Sequence, residues 1–146
     1  LEYWKNNLND AANLWEVAKI ALDKGNKIKS LESKIRTELK AGKKEIDDES
    51  KSQLAFSATD TVNAVKKIGE VDTVTASLVL DKTVLTLTEQ FFDLKQLWTP
   101  APKQRILKIK ELDSNFHDLL QKYYDDNTNL CKKTELADLM TKAVFS

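Results

Sequence analysis

The chain has 146 residues, enough for one domain with a real core, since domains cluster at about 100–150 residues. Its 23 basic and 23 acidic residues balance, which removes the global field that would draw it to nucleic acid or to an anionic membrane. Three Gly and two Pro are too few for the tight turns of an all-β fold or a Gly-rich phosphate loop, and a lone cysteine, Cys131, excludes an intrachain disulfide and any multi-cysteine metal site.

Trp4, Leu8, Ala11, Trp15, Ala18 and Leu22 recur at steps of three and four, the mark of one apolar helical face, and Gly25-Asn26 follows them as a C-terminal cap. A second stripe, Leu14, Ala18, Ala21, Gly25, Ile28, Ile35 and Leu39, fits one straight helix running from Glu2 to Ala41 through the glycine. An internal Gly costs about 1 kcal/mol, too little to decide between them. Gly42 closes this region, and a polar connection leads to Asp47-Asp48-Glu49. Those carboxylates fit the first turn of a new helix, where they complement its dipole, better than they fit a cation site. The helix they open turns Leu54, Ala58, Thr61, Val65 and Ile68 inward and stops at Gly69.

Val71 to Trp98 is the long, weakly charged stretch that organises the chain. Leu80, Val84, Leu87, Phe91, Leu94 and Trp98 form one helical stripe, and Lys82, Thr86, Glu89, Asp93 and Gln96 repeat the same steps about half a turn away. Its Val and Thr content also admits a β-hairpin turning at Asp81-Lys82. The alternation breaks at Val79-Leu80 and Val84-Leu85, and no third strand is available, so helix is the expectation. Thr99-Pro100-Ala101-Pro102 marks a boundary, with Pro100 at the first position of a helix that buries Ile109, Leu112, Phe116, Leu119 and Tyr123 and carries Ile106 and Leu120 on its flanks. After a turn at Asp125 to Asn129, Leu130, Leu136, Leu139 or Met140, and Val144 line a last helix. The short connections predict an all-α, single-domain, antiparallel up-and-down bundle of five or six helices spanning residues 1–146.

Chemistry-bearing residues are few. His117 follows Asp113 by four positions, a base-and-orienter spacing, but lies beside the buried face with no nucleophile or metal partner in sequence. Cys131 precedes Lys132 and Lys133, yet a dyad with His117 requires the last two helices to face each other, and a small partly buried side chain is the simpler reading. Asp125, Asn127 and Asn129 match the first ligands of a calcium loop, but Leu130 stands where the loop needs Gly and Leu136 where it needs Glu. No phosphate loop, nucleophile elbow or metal spacing is present, so the sequence predicts a non-enzyme without cofactor or metal.

Eight basic residues between Lys24 and Lys44 face only Glu32 and Glu38, and Lys103, Arg105, Lys108 and Lys110 form a second basic cluster. Without interleaved aromatics these read as solvated faces and not as a nucleic-acid surface; a phosphate-rich or sulfated partner gains credence only if folding brings them together. Trp15, Leu87, Phe91, Trp98 and Phe116 are the expected core, or the lining of a cavity between helices; Phe92 and Tyr124 fall off the main stripes and, with Lys103 and Arg105, are the expected partner contacts. The leading expectation is a helical bundle acting through contact with an unidentified protein. The alternative is a small carrier or surface-exposed protein holding an apolar, lipid-like molecule in a void above about 300 Å³ beside Trp15, Phe91 and Trp98. No membrane span or signal-peptide pattern is visible.

Overall fold

Residues 73–94, where Val and Thr make a hairpin conceivable, form an uninterrupted helix. The computed structural model describes residue 19 and residues 23–125 and 127–146, and among these there are six helices and no strand. They are α1 (Lys27–Ala41), α2 (Asp48–Gly69), α3 (Thr73–Leu94), α4 (Pro102–Leu112), α5 (Ser114–Tyr123) and α6 (Leu130–Phe145). The fold is an all-α bundle.

Hydroxyls along α3 are satisfied within the helix itself. Ser77 donates to the Thr73 carbonyl, Thr83 to that of Val79 and Thr86 to that of Lys82, at 2.8–3.0 Å; each side chain finds its partner one turn back on its own helix. The helix-propensity penalty of such residues is at most about 0.7 kcal/mol each. Burial of Leu80, Val84, Leu87, Phe91 and Phe92 outweighs it, at about 1.5–3 kcal/mol for each large side chain removed from water.

Both ends of α3 are fixed locally. The Asp72 carboxylate accepts from the amides of Val74 and Thr75 and from the Thr75 hydroxyl. At the other end Gln96 takes a left-handed conformation at φ +58°. Its amide donates to the Asp93 carbonyl, and the Leu97 amide donates to that of Phe92, both at 2.9 Å. This is a Schellman closure without glycine. The helix therefore stops at Leu94, and Trp98, expected as the last member of its stripe, lies beyond it in the link to α4.

Around α3 the core is assembled by two neighbours. The short turn 70–72 folds α2 back against α3, and α6 packs on both; α5 then packs on α6, and α4 on α5. α2 is capped by Asp47, which accepts from the Ser50 amide, and buries Ala58, Val62 and Val65. Asp47, Asp48 and Glu49 thus serve the start of a helix. α6 buries Leu136, Ala137, Met140 and Val144, which settles the expected choice for Met140, since Leu139 is exposed. Its buried threonines, Thr134 and Thr141, satisfy their hydroxyls on the Leu130 and Ala137 carbonyls.

Two expected boundaries move. The helix placed after Thr99 starts at Pro102, not Pro100, and splits at Asp113 into α4 and α5. Asp113 is extended at φ −157° and its carboxylate accepts from the Phe116 amide, so a side-chain cap ends one helix and begins the next. Upstream, residues 23–26 are not helical and Gly25 and Asn26 have positive φ, which rules out a continuous helix through the glycine. The stripe from Trp4 to Leu22, Trp15 included, lies outside the described residues.

Candidate functional site

Among the described helices α1 stands apart. None of its residues 28–41 is buried, and no other described helix runs close alongside it. It is held at its C-terminal end by the link that follows α3. Gly42 adopts φ +77°, and a Cβ added there would lie 2.7 Å from the Gln96 carbonyl oxygen, so only glycine fits. That same oxygen accepts from the Lys43 amide at 2.9 Å. The indole Nε1 of Trp98 donates to the Leu39 carbonyl at 3.0 Å, joining the Gly42 amide as a second donor to that oxygen at the end of α1. The Lys43 ammonium pairs with the Asp93 carboxylate and stands 5.7 Å from the Trp98 ring.

This junction leaves a cleft of about 720 Å³ between the last turns of α1 and the face of α4 that points away from the core. Leu39, Phe92, Leu97, Trp98, Pro100 and Leu107 supply its apolar surface, and Arg36, Lys40, Gln104, Lys108 and Glu111 its polar edge. Phe92 is the floor, with no solvent exposure of its own, while Leu107 is 64% exposed. A smaller hollow of about 560 Å³ lies on another part of the surface, lined by Ile106, Leu120 and Tyr124 with Gln121, Lys122 and Asp125.

The expected site residues separate into groups. Leu87, Phe91 and Phe116 belong to the core, where Phe91 stacks on Phe116 with ring centroids 5.0 Å apart, and they line neither hollow. Trp98 does line the large one. Phe92, expected as an exposed anchor, is buried: the closure at Gln96 folds the link back over it. Arg105, expected at a partner contact, is turned inward, with its guanidinium 3.4 Å from both the Thr88 hydroxyl and the Glu89 carboxylate. Tyr124 and Lys103 are exposed.

No matching family, curated protein or solved structure was found for the chain.

The remaining chemical candidates have local tasks. His117 is buried and its Nδ1 lies 3.3 Å from the Asp118 carboxylate; the expected Asp113 partner is committed to its cap. Cys131 is an exposed free thiol on α6. Asp125 accepts from the Asn127 backbone and side-chain amides, and Asn129 caps α6 through the Lys132 amide. These oxygens build a turn and a cap. Among the described residues no cluster of His, Cys, Asp and Glu has the geometry to hold a metal ion, and no helix is long and apolar enough to cross a membrane.

The cleft was only partly visible in the sequence. Leu107 carries a signal, an apolar residue off the Ile109 stripe and set among Lys103, Lys108 and Lys110. The meeting of Arg36 and Lys40 with Lys108 carries none, because it depends on how the link after α3 folds back to Leu39.

Proposed function

We propose that the protein is a non-enzymatic binding module that works by protein–protein contact through the cleft between α1 and α4. The observation that carries this reading is the open apolar surface of Leu39, Leu97, Trp98, Pro100 and Leu107 over a buried aromatic floor. Grouped apolar side chains held by a fixed backbone junction are what an interface anchor needs, because little ordering entropy remains to be lost on binding. Among the described residues that line the cleft there is no His, Cys, Ser or Thr, which favours binding over catalysis.

A second reading, a carrier for an apolar small molecule, draws on the volume of the cleft, which falls within the range of about 300–1,000 Å³ common for small-ligand sites. Against it, the rings expected to line an internal void, Phe91 and Phe116, are packed on each other in the core. Selection of a random peptide library on the immobilised protein tests the leading reading. Peptides that bind the native chain and are lost on Leu107→Asp, but kept on the distant surface change Phe56→Ser, support contact through the cleft. Selection that yields nothing, together with an apolar molecule recovered by solvent extraction, transfers the proposal to the carrier.

A further inference from the structure

We infer that the occupant of the α1–α4 cleft is an acidic amphipathic peptide segment of a partner protein, its apolar side chains on Trp98, Leu97 and Leu107 and its carboxylates on Arg36 and Lys40 on one side and Lys108 on the other. This rests on the reading of the cleft as a protein-contact site and names the partner's chemistry.

Charge complementarity is the first support. The two basic stretches that are far apart in the chain meet here, with Arg36 and Lys40 one helical turn apart on α1 and Lys108 across the apolar surface on α4. Glu111 is the single acidic residue of the lining. Lys108 holds Glu111 at 2.7 Å and Arg36 holds Glu32 at 2.8 Å, both within one helix and both with the basic side chain nearly half exposed. Exposed local pairs of this kind are weak and exchange readily for an incoming carboxylate. Lys40 makes no ion pair within the described residues. The excess positive charge lies on the α1 edge, at Arg36 and Lys40, while Lys108 and Glu111 balance on the α4 edge until a carboxylate displaces Glu111, so an acidic segment is favoured over a basic one.

Shape is the second support, and it favours a segment over a compact molecule. The apolar surface does not end at Leu39: Ile35, Leu31 and Ile28 continue along the same side of α1, with Leu31 38% and Ile28 39% exposed. From Ile28 to Leu39 the helix rises roughly 16 Å. A strip of that length beside a cleft with basic edges matches the face of an amphipathic helix, whose apolar residues recur every three or four positions. Among the described residues Trp98 is the one ring at the open surface of the cleft, where stacking a run of nucleotides takes several.

The test uses the full chain and three matched helical peptides with the same Leu stripe, flanked by Glu, by Gln or by Lys, with affinity measured by calorimetry at low and high salt. The Glu peptide is expected to bind about tenfold more tightly than the Gln peptide, with the advantage shrinking as salt rises, and the Lys peptide is expected to fail. The surface variant Arg36→Gln/Lys40→Gln/Lys108→Gln, checked for unchanged helicity, should erase the Glu advantage and leave the Gln peptide unaffected. Equal binding of Glu and Gln peptides, both lost on Leu107→Asp, overturns the acidic partner while leaving the contact site standing. Binding that ignores Leu107→Asp, or no peptide binding to a folded protein, overturns the contact reading itself. If dodecanoate binds with the same charge dependence and no peptide does, the occupant is an anionic amphiphile and the inference is wrong.

Discussion

The indole Nε1 of Trp98 donates to the backbone carbonyl of Leu39 at 3.0 Å, a bond between residues 59 positions apart that ties the end of α1 to the link between α3 and α4. No other described helix runs alongside α1, and among the described residues its docking rests on this bond and on the contacts of Gly42 and Lys43 with Gln96 and Asp93. Trp98→Phe keeps most of the apolar surface and removes the donor. The expected loss is about 1 kcal/mol of α1 docking, since a neutral hydrogen bond is worth roughly that much. Hydrogen exchange should accelerate at the amides of α1 and not at those of α3; acceleration in both would mean that α1 belongs to the core's cooperative unit.

Gly42→Ala attacks the same junction from the backbone. The new Cβ meets the Gln96 carbonyl oxygen at 2.7 Å, and φ +77° with ψ −172° is a region that side chains strongly disfavour. The expected cost is about 1–3 kcal/mol, again confined to α1 and the link. If peptide binding at the cleft depends on α1, it should weaken in parallel, while the melting of the α2–α3–α6 core stays within a few tenths of a kcal/mol. A core that melts as though several kcal/mol had gone would contradict this division.

How much of this was readable in the chain follows from where the information lies. Leu80, Val84, Leu87 and Phe91 were legible as a buried stripe because helical spacing alone puts them on one face, and all four are buried. Trp98 continues the same arithmetic and is not helical, because the left-handed turn at Gln96 has no glycine to announce it. Asp113 was read as a partner for His117, since a spacing of four looks the same whether a helix is continuous or restarted by a cap. The candidate cleft was mostly hidden. Its lining comes from two helices and a link, and periodicity within one segment says nothing of which solvent-facing residues meet across space.

Acid should expose the role of Asp72. The Thr75 hydroxyl, then the Thr75 and Val74 amides, hold its carboxyl below the usual value of 3.8. A carboxyl with a lower pKa in the folded state than in the unfolded one contributes stability above about pH 4, and that contribution is lost as pH falls through the folded value. Asp72→Asn keeps an oxygen for the cap but cannot titrate. Melting temperatures should therefore place the native chain above Asp72→Asn at pH 7, with the gap narrowing as pH falls below about 4. A gap that does not narrow as the pH is lowered would assign the effect to geometry and not to charge.

Alkali should single out Tyr123. Its hydroxyl donates to the Asp81 carboxylate at 2.8 Å from a fully buried ring. Burial first, then the hydrogen bond to Asp81 and the negative charge there, push its pKa well above the ordinary 10.0; burial and the Asp81 charge also raise Tyr124. The folded state thus keeps a proton that the unfolded chain gives up, and stability falls as pH climbs past about 10. Tyr123→Phe removes that proton from the balance. It also leaves Asp81 without this donor, at about 1 kcal/mol when neutral. The variant should be the less stable protein at pH 7 and lose less than the native chain between pH 9 and 11, with the residual slope belonging to Tyr124. Parallel stability curves for the two proteins across that interval would mean that the Tyr123 phenol titrates alike in the folded and unfolded chain, contrary to its buried bond with Asp81.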